Sequence, residues 1–358
     1  MQRILTIGIP TYNRAHSLSA MLSQLVKDIG ELTREIEIII SNNCSTDNTQ
    51  SVIEDWKSKV PSDLAVRVKN NSENIGVSRN IVSLFYMADT PFFMFLGDDD
   101  RLNSDFFPEL MRILQIDNPP TAVIQGTWNG VLRAGKIGFV DWTESLSLFY
   151  EYGNAWAGVV KVQEAVRAIE TRNLRSVIEG IVWPQTVMAF LAIYDAKPNQ
   201  VFVSEVELGS RFSITYNICT KAYMCRSFYG LLFAAACIDK AIDENRFRKA
   251  FLRIKSFGFI SNVKGILVHS LVEKGGDDTL RIRMLLREEY GLKGYLWAAV
   301  FWLSDHYNIL YSCCKIICPI VLWRSPESLD MKLARFRIEL ANSISNKHTE
   351  LRRHGDWF

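Results

Sequence analysis

Asp98-Asp99-Asp100 follows directly on the apolar run Phe92-Phe93-Met94-Phe95-Leu96 and Gly97. Three carboxylates crowded at the end of a buried strand repel one another and raise one another's pKa unless a cation compensates. A hard divalent ion, Mg2+ or Mn2+, supplies that charge. It binds through one or two carboxylates and completes its shell with phosphate oxygens of a substrate. The triplet therefore reads as a place for a nucleotide or another phosphorylated molecule.

Three more polar clusters stand upstream, each behind an apolar run: Pro10-Thr11-Tyr12-Asn13-Arg14, Ser41-Asn42-Asn43-Cys44-Ser45-Thr46-Asp47, and Asn74-Ile75-Gly76-Val77-Ser78-Arg79-Asn80. Asn42 and Asn43 each offer a donor and an acceptor, which suits the edge of a base. Thr11 and the backbone around it suit a ribose or base. Arg79 opens a helix, where free N–H groups and positive charge favour phosphate. Gly76 allows a positive φ or a close approach. Taken singly, an Asp run or an Asn-rich loop is a solvated turn, and Ser45-Thr46-Asp47 is a helix cap. Their recurrence after four successive strands argues for one shared site.

The elements that must position them follow from periodicity. Residues 4–9, 36–40, 64–68 and 92–96 read as short buried strands, the first ended by Pro10. Between them, Leu18, Met21, Leu22, Leu25, Val26 and Ile29 recur at helical spacing, and helices are expected from the 45–47 cap through Trp56 and over 77–87. A helix at 105–114 and a strand at 122–125 continue the alternation, which predicts a parallel sheet covered on both faces. In such sheets ligands bind beyond the carboxyl ends of the strands, where all four clusters fall. Further on, 164–169 and 182–194 read as helices and 201–206 as a strand. Nearly everything after 220 reads as helical. The expected division is 1–215, an α/β nucleotide-binding domain, and 216–358, a helical region.

The chain has 358 residues, 48% of them hydrophobic, enough for a large core. With 41 basic and 39 acidic residues its formal charge is +2, which gives no case for a nucleic-acid partner. The 7 cysteines form no Cys-x-x-Cys or zinc spacing, which fits a reducing cytoplasm. The apolar stretch at 4–9 is too short for a secretory leader, and no uncharged apolar run reaches the roughly 18 residues of a spanning helix. Residues 295–323 are rich in Trp, Tyr, Ile and Cys, interrupted by Asp305, Lys315 and Pro319. Basic residues then outnumber acidic ones over 331–358. An amphipathic membrane-interface segment and an aromatic helical core both fit that composition.

With these motifs in place, the chain resembles the family 2 glycosyltransferases of GT-A fold, especially bacterial enzymes of O-antigen and capsule assembly. The family's opening motif matches Pro10–Arg14, and its Asp-rich loop matches 42–47. Its Asn-x-Gly-x-x-x-Arg-Asn pattern matches 74–80, and its Asp-x-Asp motif matches Asp98-Asp99-Asp100. The resemblance covers residues 4–101 well and the rest loosely. It implies a GT-A sheet followed by a mainly helical region, and a nucleotide-sugar site built from Pro10, Thr11, Asn13, Arg14, Asn42, Asn43, Asn74, Gly76, Arg79 and the three aspartates. It implies Mn2+ or Mg2+ on Asp99 and Asp100, and inversion at the anomeric carbon with a carboxylate base. The implied partners are a UDP-, dTDP- or GDP-sugar and a saccharide acceptor, linked to polyprenyl diphosphate at the inner face of the cell membrane. Asn42 departs from the aspartate that many relatives carry, which leaves the base preference open.

For the base, Glu179 is the first expectation, since it precedes Gly180 and Trp183-Pro184-Gln185 at the entrance to a helix. Asp141, Glu144 and Asp195 are alternatives. Trp128, Trp156 and Trp183 are candidate stacking platforms for a sugar, and Arg211 a candidate diphosphate contact. The competing functions are a non-catalytic nucleotide-sugar or polysaccharide-binding subunit and a sugar nucleotidyltransferase. The absence of glycine from Thr11-Tyr12-Asn13-Arg14 argues against the latter.

Overall fold

The computed structural model describes residues 3–125, 127–128, 131–132, 137–140, 158–180, 184–195 and 200–205, with single helical positions between 283 and 302. The chain divides into two compact units, Met1–Ile214 with Glu244–Ile254, and Thr215–Asp243 with Lys255–Phe358.

The first unit alternates strand and helix: β1 Leu5–Thr11, α1 Ala15–Ile29, β2 Ile36–Asn42, α2 Thr49–Lys57, β3 Ala65–Asn70, α3 Val77–Tyr86, β4 Phe92–Phe95, α4 Phe106–Leu114, β5 Ala122–Gln125. A short hairpin follows, β6 Thr127–Trp128 and β7 Val131–Leu132. Then come β8 Gly138–Val140, β9 Gly158–Lys161, α5 Val162–Glu170, α6 Arg175–Ile178, α7 Pro184–Asp195 and β10 Val201–Ser204. Eight strands form one sheet in the order β3-β2-β1-β4-β9-β5-β10-β8.

The sheet is mostly parallel with helices on both faces, as expected, and mixed. β9 runs antiparallel between β4 and β5, and β8 is antiparallel to β10 at the edge. Both are runs of three or four residues with a glycine, too short for any periodicity to show. Two of the early strands also run longer than expected. β1 continues through Pro10 to Thr11, and β2 reaches Asn42, with Thr11 paired to Asn42 and Asn42 to Asn70. Pro10 lacks only an N–H, and the strand passes through it.

One face of the sheet is covered by α1, α2 and α4. Leu18, Leu22 and Phe107 pack there on Ile7, Ile38 and Met94, all fully or almost fully buried. On the other face α3 lies over β1 and β2. A Cβ on Gly8 would stand 2.3 Å from the Phe93 ring, so glycine opens the notch in β1 that lets this ring cross it. The ring then meets Phe85 of α3 edge-on at 4.9 Å. Glu37 is buried in β2 and held by Thr6 at 3.0 Å and by Arg67 at 3.1 Å.

Candidate functional site

All four polar clusters lie at the carboxyl edge of the sheet, as the strand directions require. Gly97-Asp98-Asp99-Asp100 forms a tight turn off β4. Asp100 Oδ2 accepts from the Gly97 N–H at 3.0 Å, and a Cβ on Gly97 would lie 2.5 Å from that oxygen. A side chain at position 97 would push the Asp100 carboxylate out of this turn. Thr11, at the end of β1, donates its hydroxyl to Asp98 Oδ2 at 2.8 Å.

The three carboxylates differ. Burial pushes Asp98 up to about 7, helped by the charges of Asp99 and Asp100 and opposed by Arg14 and the Thr11 hydroxyl. Asp99 is 2% exposed and its Oδ2 has no hydrogen-bond partner. The Arg14 guanidinium stands 3.7 Å from that oxygen, too far for a hydrogen bond. Asp100 has one oxygen tied to the turn. A buried carboxylate oxygen left unpaired is costly, and a cation beside it removes the cost. The donor set fits a hard divalent ion, with Asp99 offering the free oxygen and Asp100 its neighbour. Among the described residues no group of three or more His, Cys, Asp or Glu forms a metal site. An ion here would be completed by substrate oxygens.

Most of the other expected residues build the rim. Asn42, expected to read a base, is buried. Its Nδ2 donates to Gln50 at 2.9 Å and its Oδ1 accepts from the Ser45 N–H at 3.1 Å. Asn43 is buried too: Oδ1 accepts from Asn71 Nδ2 and the Ile75 N–H, and Nδ2 donates to Asn74 Oδ1 at 2.6 Å. Of Asn74 and Asn80, the first stays exposed and the second is buried. Asn74 Oδ1 also accepts from the Gly76 N–H, and Asn80 donates to the Ser41 carbonyl while accepting from its hydroxyl at 2.6 Å. Asn13, at φ 51°, accepts from the Thr46 N–H at 2.7 Å and donates its own N–H to Ser45. Asp47 reaches from one loop to the next, accepting from Thr49 and Ala15. These bonds lock three loops into one ledge. Gly76, at φ 83°, turns the chain into α3, where Arg79 stands exposed at the same edge.

Glu179 and Asp195 are set apart from the aspartates. Glu179 accepts from Arg175 at 3.3 Å, and the Arg175 guanidinium lies 4.1 Å over the Tyr86 ring, at the end of α3 remote from Val77. Asp195 ends α7 at the amino edge of the sheet, in a two-pronged pair with Arg172 at 2.7 and 2.8 Å. Arginines hold both, Glu179 at the local i,i+4 spacing and Asp195 across 23 positions, for which the sequence gave no sign. Asp141, Glu144, Trp156, Trp183 and Arg211 lie outside the described residues, as does the Trp128 side chain.

Comparison with known proteins agrees with this arrangement. Residues 6–156 match glycosyl transferase family 2. Over 111 residues the chain is 31% identical to the abequosyltransferase RfbV of Salmonella typhimurium, a stretch covering 31% of this chain and 32% of that protein. It is 29% identical over 100 residues to the poly(ribitol-phosphate) beta-N-acetylglucosaminyltransferase TarS of Staphylococcus aureus, covering 28% of this chain and 17% of that one. The matched stretches thus span a third or less of these relatives. The crystal structure of S. aureus TarS 1-349 in complex with UDP superposes with a TM-score of 0.58 at 14% identity, covering 84% of this chain and 88% of that one. The mannosyltransferase PcManGT of Pyrobaculum calidifontis, in complex with GDP-Man and Mn2+, gives 0.52 at 13% identity, covering 88% of each. By its four ordered motifs, its mostly parallel sheet and this match, the chain carries over residues 6–156 a family 2 glycosyltransferase domain of GT-A fold.

Proposed function

We propose that this protein transfers a sugar from a nucleotide-sugar donor to a saccharide acceptor during assembly of a surface polysaccharide. The observation that carries the reading is the buried Oδ2 of Asp99, which accepts no hydrogen bond, in a turn of three carboxylates at the carboxyl edge of the sheet. Asp99 and Asp100 would hold a divalent ion, Mn2+ or Mg2+, which when bound neutralises the leaving diphosphate. Asp98, anchored by Thr11, keeps the turn aimed along β1. Arg14 and Arg79 add positive charge for the phosphates. The locked ledge of 13, 42–47 and 74–80 offers backbone groups and a fixed wall to the nucleoside. In the transfer, the bond from the anomeric carbon to the diphosphate oxygen breaks as the acceptor oxygen bonds that carbon from the opposite face, inverting it. The hydroxyl proton goes to a carboxylate base. Asp141 and Glu144 are the candidates, since Glu179 and Asp195 are held by arginines away from the turn.

By their names RfbV is an abequosyltransferase and TarS a glycosyltransferase of poly(ribitol-phosphate), which supports a surface-polysaccharide acceptor, one linked to polyprenyl diphosphate in this reading. An inner-face membrane position is supported by Leu292, Tyr295, Leu296 and Trp302, helical positions that are 81%, 57%, 64% and 41% exposed. Among the described residues no helix is long and apolar enough to cross a membrane.

The test is turnover of a panel of UDP-, GDP- and dTDP-sugars with Mn2+ and with a chelator. Release of nucleoside diphosphate that stops on chelation is expected. Release of pyrophosphate would mean nucleotidyl transfer instead, and tight binding with no turnover would mean a binding subunit.

A further inference from the structure

Helix α7 is buried on every side that is described, through Val187, Met188, Leu191, Ala192 and Ile193. One amide interrupts this apolar helix. Gln185, in its first turn, is 8% exposed, and neither its Oε1 nor its Nε2 has a hydrogen-bond partner. Buried polar groups are almost always paired, so a glutamine with both ends open calls for a ligand. The helix start adds donors, because its first N–H groups have no partner within the helix. No acidic residue in that turn competes for them.

Topology puts this turn at the functional edge. α7 leads into β10, which runs parallel to β5, and β5 has the direction of β4 because both are antiparallel to β9. α7 packs on β9, β5 and α3, and a helix that runs back against β10 to reach its start has its first turn on the side of the carboxyl edge. β5 stands two places from β4 in the sheet, with β9 between them. The nucleoside ledge of β1, β2 and β3 is on the opposite side of β4. That leaves the α7 side for the sugars.

We propose that the first turn of α7 is a saccharide subsite in which Gln185 donates from Nε2 to one sugar hydroxyl and accepts from another at Oε1. The proposal rests on the glycosyl-transfer reading. A neutral side chain with one donor end and one acceptor end matches the paired hydroxyls of a pyranose and offers no charge to an ion. The sugar is that of the donor or that of the acceptor.

The full chain and its Gln185→Met variant separate these cases. Calorimetry with UDP, GDP and dTDP, and with the corresponding nucleotide sugars, reads the donor side. KM for p-nitrophenyl glycosides reads the acceptor side. Free nucleoside diphosphate should bind both proteins equally. Either the nucleotide sugar or the glycoside should bind the variant roughly tenfold more weakly, the scale of a lost hydrogen-bond pair. The melting temperature should hold or rise, since methionine removes an unpaired amide. A fall of several degrees would show that the amide has a partner inside the protein and would overturn the proposal. So would unchanged affinity for both sugars alongside intact nucleoside diphosphate binding. If the unaltered chain binds no nucleoside diphosphate, the glycosyl-transfer reading fails and the subsite falls with it.

Discussion

Asp99 keeps one carboxylate oxygen buried and without a hydrogen bond, while Asp98 and Asp100 have theirs committed to Thr11 and to Gly97. Asp99→Ala should therefore abolish metal-dependent binding of the nucleotide sugar and leave the melting temperature within a few degrees. Titration calorimetry with and without Mn2+ checks this, and normal turnover in the variant would remove the metal role. Asp47 makes the opposite case, a carboxylate whose work is structural. Partial burial pushes its pKa up, but hydrogen bonds from Thr49 and Ala15 outweigh this and hold it below the ordinary value of 3.8. A folded pKa below the unfolded one gives stability that is present above that ordinary value and is lost as pH falls through the folded one. Asp47→Ala should cost on the order of 1 kcal/mol at pH 7, as for a lost helix-start acceptor. In denaturant titrations the gap from the unaltered chain should narrow as pH falls below 3.8. Residue types alone could not tell these roles apart: both are aspartates in polar loops after strands.

At the scale of elements, regular alternation made β1 through β5 and their helices readable, because each helix is long enough to show its period and each strand is rich in apolar residues. β8 and β9 were not readable, being short and fixed only by the strands beside them. The contact between β1 and β4 has its own signature in Gly8. Gly8→Val should destabilise the protein by about 1–3 kcal/mol through overpacking against Phe93. It should also loosen α3, which rests on that ring through Phe85. Equilibrium unfolding measures the first effect, and faster amide exchange over 77–86 the second. If Gly8→Val unfolds no earlier than the parent, the notch is not what seats the ring.

At the scale of the whole molecule, the mixed sheet carries the aspartate turn and the asparagine ledge on one edge, and the helical positions near 292–302 carry exposed apolar and aromatic side chains. A bilayer-facing role for the latter predicts that the full chain floats with phosphatidylglycerol vesicles. Replacing Leu292, Leu296 and Trp302 with serine should cut the floated fraction several-fold while turnover of soluble donor persists. Equal flotation would sink that role. The sequence by itself determined the sheet-and-helix alternation and the four polar clusters at the strand ends. Both are written in local period and composition. It did not determine which polar atoms are spent on the protein and which are left for a ligand. Thr11 and Asp98 are 87 positions apart, and Asn43 meets Asn74 across 31. Hydrogen bonding at such separations exists only once the strands lie side by side. Tertiary structure alone therefore turned Asn42 and Asn43 inward. It bound Asp195 to Arg172, and it left Asp99 Oδ2 and the Gln185 amide buried without a hydrogen bond.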